Sequence, residues 1–217
     1  MMLVKNTKRN YVEIAIVVAT LMVFEAVFFR NVLFSDQLIG NSGDGRLCTY
    51  LAEHWYRVFL GLDSIRDLNM FYPAENVLGY TDMFLGIGVI HSFFRIVGVN
   101  LYTAFKLSII AIHVFGTFSF FFLMRNTIKV RTVWALMGTV AFSFSNAYAV
   151  NIYHPQLVCL SVVPFFIICL LKFFQDFSCS TKRHIWAVFA ILSYLFIIYT
   201  AWYIAFFVAL FCLICIV

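Results

Sequence analysis

Long uncharged apolar runs constrain this chain more than any other feature. The last 33 residues, 185–217, contain no Asp, Glu, Lys or Arg, and several other apolar runs precede them. These runs lack the polar–apolar alternation of membrane β-barrel strands. Only 12% of the residues are charged, about half of the ~25% that is usual in soluble domains. The sequence therefore predicts an all-α fold, a polytopic transmembrane helical bundle.

The runs divide a single predicted membrane domain, residues 1–217. A signal anchor without a cleavage site is expected at 11–29. A polar outer segment with an amphipathic helix follows at 30–80, and residues 82–98 form an interfacial or short membrane helix. The remaining predicted spans are 101–124, 132–150, 155–174 and 185–217. A single helix over the last run would measure ~50 Å, which is too long for one crossing, so we expect a break near residue 200.

Basic residues at the ends of the runs indicate the orientation. They cluster at residues 5–9, 125–131 and 172–183, and the positive-inside rule places such clusters in the cytoplasm. All three share that side if residues 82–98 do not cross the bilayer, and a crossing there is the alternative. The prediction is a multi-pass protein of the cytoplasmic (inner) membrane with a cytoplasmic N-terminus. The scattered positive charge does not indicate a nucleic-acid partner.

Polar residues that are able to take part in a reaction lie at the predicted outer ends of the runs. Asp44 lies between two glycines, which would let the backbone approach a bulky substrate. Aspartate is also a favoured N-cap, so Asp44 is either a reactive carboxylate or a cap of the amphipathic helix. Asp82 could bind a sugar or a metal, or it could cap the next helix. His154 could donate to a phosphate or serve as an ordinary interfacial histidine.

The order of these motifs resembles that of a known family. A "GD" follows the first span, then come an amphipathic helix, "FYP", "NVLGYTDMFLG", "LMRNTIKVR" and "AFSFSNAY…YHPQLVCLSVVPFF". Over about residues 36–175 this pattern resembles the N-terminal part of bacterial polytopic membrane proteins with the type-C (GT-C) glycosyltransferase fold. Such proteins transfer a sugar from a polyprenyl-phosphate donor to an acceptor on the outer face of the cytoplasmic membrane.

The resemblance implies a role for Asp44 as the catalytic base, and it places Tyr72 near the donor. A carboxylate in hydrogen-bond reach can take the proton of an attacking hydroxyl, and a phosphate leaving group needs nearby positive charge. We therefore predict five substrate-binding residues: Arg46, Tyr72, Asp82, Arg95 and His154. The expected partners are a polyprenyl-phosphate-linked sugar and membrane lipid. No cofactor is certain, and a divalent cation is a possible one. The sequence does not indicate an oligomeric state.

Two other interpretations stay open at the level of the sequence. The protein could be a non-catalytic multi-span membrane protein, either a transporter piece or an assembly factor for surface polysaccharide. It could also be an inactive fragment, because the chain stops inside apolar sequence and we expect it to be incomplete. Within the runs, Glu25 is expected to reach the interface or to pair with Arg30. His113 is expected to be a core residue with its polar atoms satisfied.

Overall fold

Every regular element in the described part of the chain is helical. A computed structural model describes residues 2–35, 38–40, 43–151, 154–175 and 180–216. The helices are α1 (Met2–Phe28), α2 (Arg30–Phe34), α3 (Asp44–Phe59), α4 (Leu85–Ile96), α5 (Leu101–Phe122), α6 (Thr132–Ser143), α7 (Asn146–Asn151), α8 (Val163–Gln175), α9 (Ser180–Ile198) and α10 (Trp202–Ile216). Short 3-10 helices form at Val77–Tyr80 and Pro155–Val162, and a π-helix extends α5 over Leu123–Thr127.

Three helical stretches among the described residues are long and apolar enough to cross a membrane. They are Leu101–Thr127, Pro155–Gln175 and Thr181–Ile198. The second joins a 3-10 helix to α8, with Pro155 at its first position, where the missing proline N–H costs no helical hydrogen bond. The prediction of an all-α chain with helices long and apolar enough to span a membrane is therefore confirmed. Helix α1 covers the run predicted as the signal anchor.

Two predicted runs are divided in the structure. The run 132–150 forms α6 and α7, which are separated by Phe144 and Ser145. Helix α6 alone has 12 residues and rises about 18 Å, less than the ~30 Å of a bilayer core. The last run breaks at Tyr199–Ala201, between α9 and α10. The break packs against the start of α4, where the Leu85 amide donates to the Tyr199 carbonyl at 2.9 Å.

The helices share two polar ends. At the first, here called the basic end, α1, α5 and α6 meet: Arg125 donates to the Thr132 hydroxyl at 3.0 Å, and that hydroxyl donates to Glu13. At the other, here called the acidic end, His154 lies 3.6 Å from Asp44. Because a charged group is costly inside hydrocarbon, this separation suits a bundle whose middle is apolar. Lys106, in α5, joins the acidic end by donating to the Ser35 carbonyl at 2.5 Å.

Helices α3 and α4 form a tightly packed pair at the acidic end. The Glu53 carboxylate accepts from Arg95 at 2.9 Å and from His91 at 2.8 Å. The buried Trp55 indole donates to the Met83 carbonyl at 2.6 Å. Gly88 faces that indole so closely that an added Cβ would lie 2.6 Å from a ring carbon. The close approach of the two helices therefore requires glycine at position 88.

Gly88→Ala is expected to destabilise the protein, because the extra methyl group overpacks the α3–α4 contact at a cost of about 1–3 kcal/mol. The ~1 kcal/mol that alanine gains over glycine in a helix reduces the net loss to at most about 2 kcal/mol. The measurement is thermal unfolding of the purified protein in detergent. Gly79→Ala is the matched control, since its Cβ would meet nothing within 4 Å. Equal melting temperatures for the two variants would contradict this account of the packing.

Candidate functional site

Asp44 lies at the start of α3, on the acidic end. Gly43 occupies the N-cap position, and Asp44 is the first helical residue rather than the cap. A carboxylate in the first turn is stabilised by the helix dipole. Gly45 is buried against the Ile39 carbonyl, which an added Cβ would approach to 2.5 Å. This close contact holds the turn at Asp44 against the preceding segment.

His154 lies beside Asp44. Its Nδ1 atom is 3.6 Å from the Asp44 Oδ2 atom, and the two side chains are 52% and 49% exposed. That separation is longer than a hydrogen bond at 2.7–3.2 Å and short enough for an ion pair. The structure thus brings together two groups that can each bind a proton, 110 residues apart in sequence and both open to solvent.

Asp82 occupies the more enclosed part of the same end. Its carboxylate lies beside the backbone N–H of Trp202, the first residue of α10. Burial raises the pKa of Asp82, and the Trp202 amide opposes part of that shift. Helix α4 instead begins after Phe84. The interpretation of Asp82 as a cap of the next helix is therefore wrong, because the carboxylate faces a helix that starts 120 residues later in the chain.

Cys48 is affected by the charges of both carboxylates, Asp44 and Asp82. The thiol is buried, and burial raises its pKa to about 12, with further contributions from the charges of Asp44 and Asp82. A thiol with so high a pKa stays protonated at neutral pH and is a poor nucleophile. Asp44 and Asp82 both lie close enough to Cys48 for their charges to act on its thiol. The site therefore combines an exposed pair, Asp44 and His154, with a more buried acid.

Two residues that the sequence analysis did not single out complete the buried part. Gln156 lies beside the Tyr203 hydroxyl, and the charge of Asp82 also reaches Tyr203. The Oε1 atom of Gln156 and the Oδ1 atom of Asp82 are both buried without a hydrogen-bond partner among the described residues. Unpartnered buried acceptors are unusual and call for a donor. The break in the last apolar run, just before Tyr203, was the signal that could have located this residue.

The other predicted site residues have different surroundings. Arg46 is exposed two residues after Asp44, with no ion pair or hydrogen bond to the described residues. Arg95 donates to Glu53 and to the Val99 carbonyl, and its guanidinium lies 5.0 Å from the centre of the Tyr56 ring. Tyr72 is 96% exposed, in the segment between α3 and α4. Of these predicted site residues, His154 therefore lies next to Asp44, whereas Arg95 is held by Glu53 and Tyr72 is exposed elsewhere on the surface.

Clusters of metal-ligating side chains are absent from the described residues. Nowhere in that part of the chain do three or more His, Cys, Asp or Glu side chains group as a metal ion would require. What the site offers chemically is a proton acceptor, an imidazole and a half-buried carboxyl.

Comparison of the chain with protein-family models, with curated proteins and with solved structures finds no match. The site must therefore be interpreted from its own geometry.

Asp82→Asn tests the half-buried acid. Because the folded-state pKa of Asp82 is raised, folding penalises its ionised form. Stability should therefore fall as pH rises from the ordinary carboxyl range through the raised pKa. The asparagine variant lacks this loss, so its melting temperature should exceed that of the wild type at neutral pH and approach it in acid. Glu75→Gln, at an exposed position, is the control, and an equal effect of both substitutions would refute the assignment.

Proposed function

We propose that this chain is a membrane glycosyltransferase, or the N-terminal portion of one. It would transfer a sugar from a polyprenyl-phosphate donor to an acceptor hydroxyl on the outer face of the cytoplasmic membrane. The observation that carries the proposal is the half-exposed Asp44 carboxylate beside His154, at one end of an apolar helical bundle. A lipid-linked donor suits this position, because its lipid can stay in the bilayer while its sugar reaches the exposed pair.

Asp44 acts as the general base in this proposal. The acceptor oxygen attacks the anomeric carbon of the donor sugar while its proton passes to the Asp44 carboxylate. The new bond joins the acceptor oxygen to the anomeric carbon. The bond between that carbon and the phosphate oxygen breaks, and polyprenyl phosphate leaves with the electron pair. A phosphate leaves as an anion, so the reaction needs no acid to protonate it but does need positive charge nearby.

His154 and Arg46 are the best placed residues to supply that positive charge. A protonated His154 imidazole next to Asp44 could donate to the departing phosphate as the carboxylate takes up the acceptor proton. Arg46 is exposed in the same helical turn as Asp44. Arg95 is less suited to bind the phosphate, because its guanidinium already forms a bidentate ion pair with Glu53. Asp82 and Tyr72 remain proposed sugar-binding residues.

The proposal also requires an orientation in the membrane. The basic end, with Arg125 and Arg131, would face the cytoplasm, in line with the positive-inside rule. The acidic end would then face outward, with Asp44, Asp82 and His154 on that side. The N-terminus would be cytoplasmic, and residues 82–98 would stay on the outer side of the bilayer.

A transport-related role is the second candidate. One observation favours it: Glu25 and His113 form a buried pair inside the helical bundle, and ionisable groups within membrane segments often mark a path for ions or substrates. Transporters of known type, however, usually bind their substrate at broken helices near the middle of the membrane. In this chain the exposed polar groups lie at the ends of the bundle.

Asp44→Asn is expected to lower transfer by about 10²–10⁴-fold, because the amide cannot accept the proton of the acceptor. The assay follows release of polyprenyl phosphate from a panel of labelled polyprenyl-phosphate sugars, in membranes that carry the protein. Glu75→Gln, an exposed acid of the same outer segment, is the control and should keep the wild-type rate. Transfer at the wild-type rate by the Asp44 variant would remove Asp44 from the catalytic role.

Labelling of introduced cysteines tests the orientation. In a cysteine-free background, a membrane-impermeant maleimide added to intact cells should modify Tyr72→Cys. That position is 96% exposed, in the segment between α3 and α4 at the acidic end of the bundle. Lys129→Cys, which is exposed near the basic end, should react only after the cells are opened. The reverse pattern would place Asp44 and His154 in the cytoplasm and would end the proposal of outer-face transfer.

A further inference from the structure

Glu25 and His113 form a buried polar pair at the middle of the bundle. His113 is the thirteenth residue of the 27-residue candidate span Leu101–Thr127, so it lies about 18 Å along that span, close to its midpoint. Glu25 reaches it from α1. The side chains are 4% and 2% exposed. The pairing differs from the sequence expectation, in which Glu25 reaches the interface or pairs with Arg30.

Both ring nitrogens of His113 face oxygen atoms. The Nδ1 atom lies 3.0 Å and 3.1 Å from the two oxygens of the Glu25 carboxylate. The Nε2 atom lies 2.9 Å from the backbone carbonyl oxygen of Ser143, at the end of α6. The Thr117 hydroxyl is 2.7 Å from Glu25 Oε1 and completes the group. One cluster therefore joins α1, α5 and α6.

These contacts determine where protons must sit. A backbone carbonyl only accepts hydrogen bonds, so Nε2 carries a hydrogen and donates it to Ser143. The contact between Nδ1 and Glu25 then needs one further proton, on either the nitrogen or the carboxyl. With that proton the pair is neutral overall, whether it is written as imidazolium and carboxylate or as imidazole and carboxylic acid. Without it, two acceptors face each other at 3.0 Å and the pair carries a net negative charge.

Four aromatic rings pack around the imidazole. Phe28 stacks on it at 5.3 Å, and Tyr148 meets it edge-on at 5.2 Å. Phe29 and Phe144 lie at 5.1 Å and 5.6 Å. Faces of aromatic rings tolerate a cationic imidazolium and cannot replace a missing proton. Tyr148 is the other titratable side chain in contact with the ring among the described residues, and its hydroxyl accepts from Ser161 at 3.2 Å.

We propose that Glu25 and His113 form a proton-binding site at the middle of the membrane domain, which holds one proton between the Glu25 carboxylate and the imidazole Nδ1. The proton is the ligand, and α1, α5 and α6 are joined at this point while it is bound. Its loss would leave an uncompensated charge in an apolar interior, where charge is costly, and would separate α1 from α5. This inference does not depend on glycosyl transfer at Asp44.

Thermal unfolding of the purified protein in nanodiscs, followed from mildly acidic to alkaline pH, tests the site. The informative variant is Glu25→Gln, because the glutamine amide can donate to Nδ1 and accept from Thr117 without a shared proton. The wild-type melting temperature should fall at alkaline pH by more than that of the variant. The difference between the two curves isolates this site from other titrating groups. Curves of the same shape would overturn the proposal.

Magnetic resonance supplies a second test that needs no variant. With ¹⁵N-labelled histidine and ¹³C-carbonyl-labelled serine, the histidine nitrogen that couples to a serine carbonyl identifies His113 through its contact with Ser143. That nitrogen should carry a hydrogen, and the shift of the other nitrogen should be that of a nitrogen which holds or shares a hydrogen rather than that of a bare acceptor. An unprotonated Nε2, or a bare-acceptor Nδ1 at neutral pH, would refute the shared proton.

Discussion

The exclusion of charge from an apolar interior is the constraint on which this structure depends. A chain that is 64% hydrophobic can enter a membrane only if its backbone hydrogen bonds close within helices and its ionisable groups are paired or lie at helix ends. Both conditions are met in the described residues. The charged side chains collect at the two ends of the bundle, and the acid found between the ends, Glu25, is matched with His113.

The acidic end owes its shape to close helix contacts. Gly88 lets α3 and α4 approach through Trp55, and the Glu53 carboxylate holds Arg95 and His91 on the neighbouring helix. These contacts hold α3 in place, with Asp44 at its first residue. The 3-10 helix that begins at Pro155 positions His154 from the other side. The elements that carry Asp44 and His154 are therefore held in place by packed helices. A site whose side chains must keep a fixed geometry requires such support.

Sequence patterns predicted some of these features for physical reasons. The length of the last run required a break near residue 200, and the structure has one at Tyr199–Ala201. The run 132–150 was expected to be one helix, but it divides at Phe144 and Ser145, where Ser143 and Asn146 on either side are residues that favour turns. The partner of Asp82 was also missed, because Trp202 is distant in sequence. It contacts Asp82 through its backbone N–H, a group that almost every residue has and that no sequence pattern reveals.

The sequence by itself determined the class of the fold and the residues able to do chemistry, because helix length, hydropathy and residue type are local properties. It placed Asp44, Asp82 and His154 at the ends of apolar runs. Only the tertiary structure decided which of these groups meet. The contact of Asp44 with His154 and that of Glu25 with His113 join residues 110 and 88 positions apart. Such pairings depend on how whole helices pack, and that packing is set by the combined surfaces of several elements rather than by any one segment.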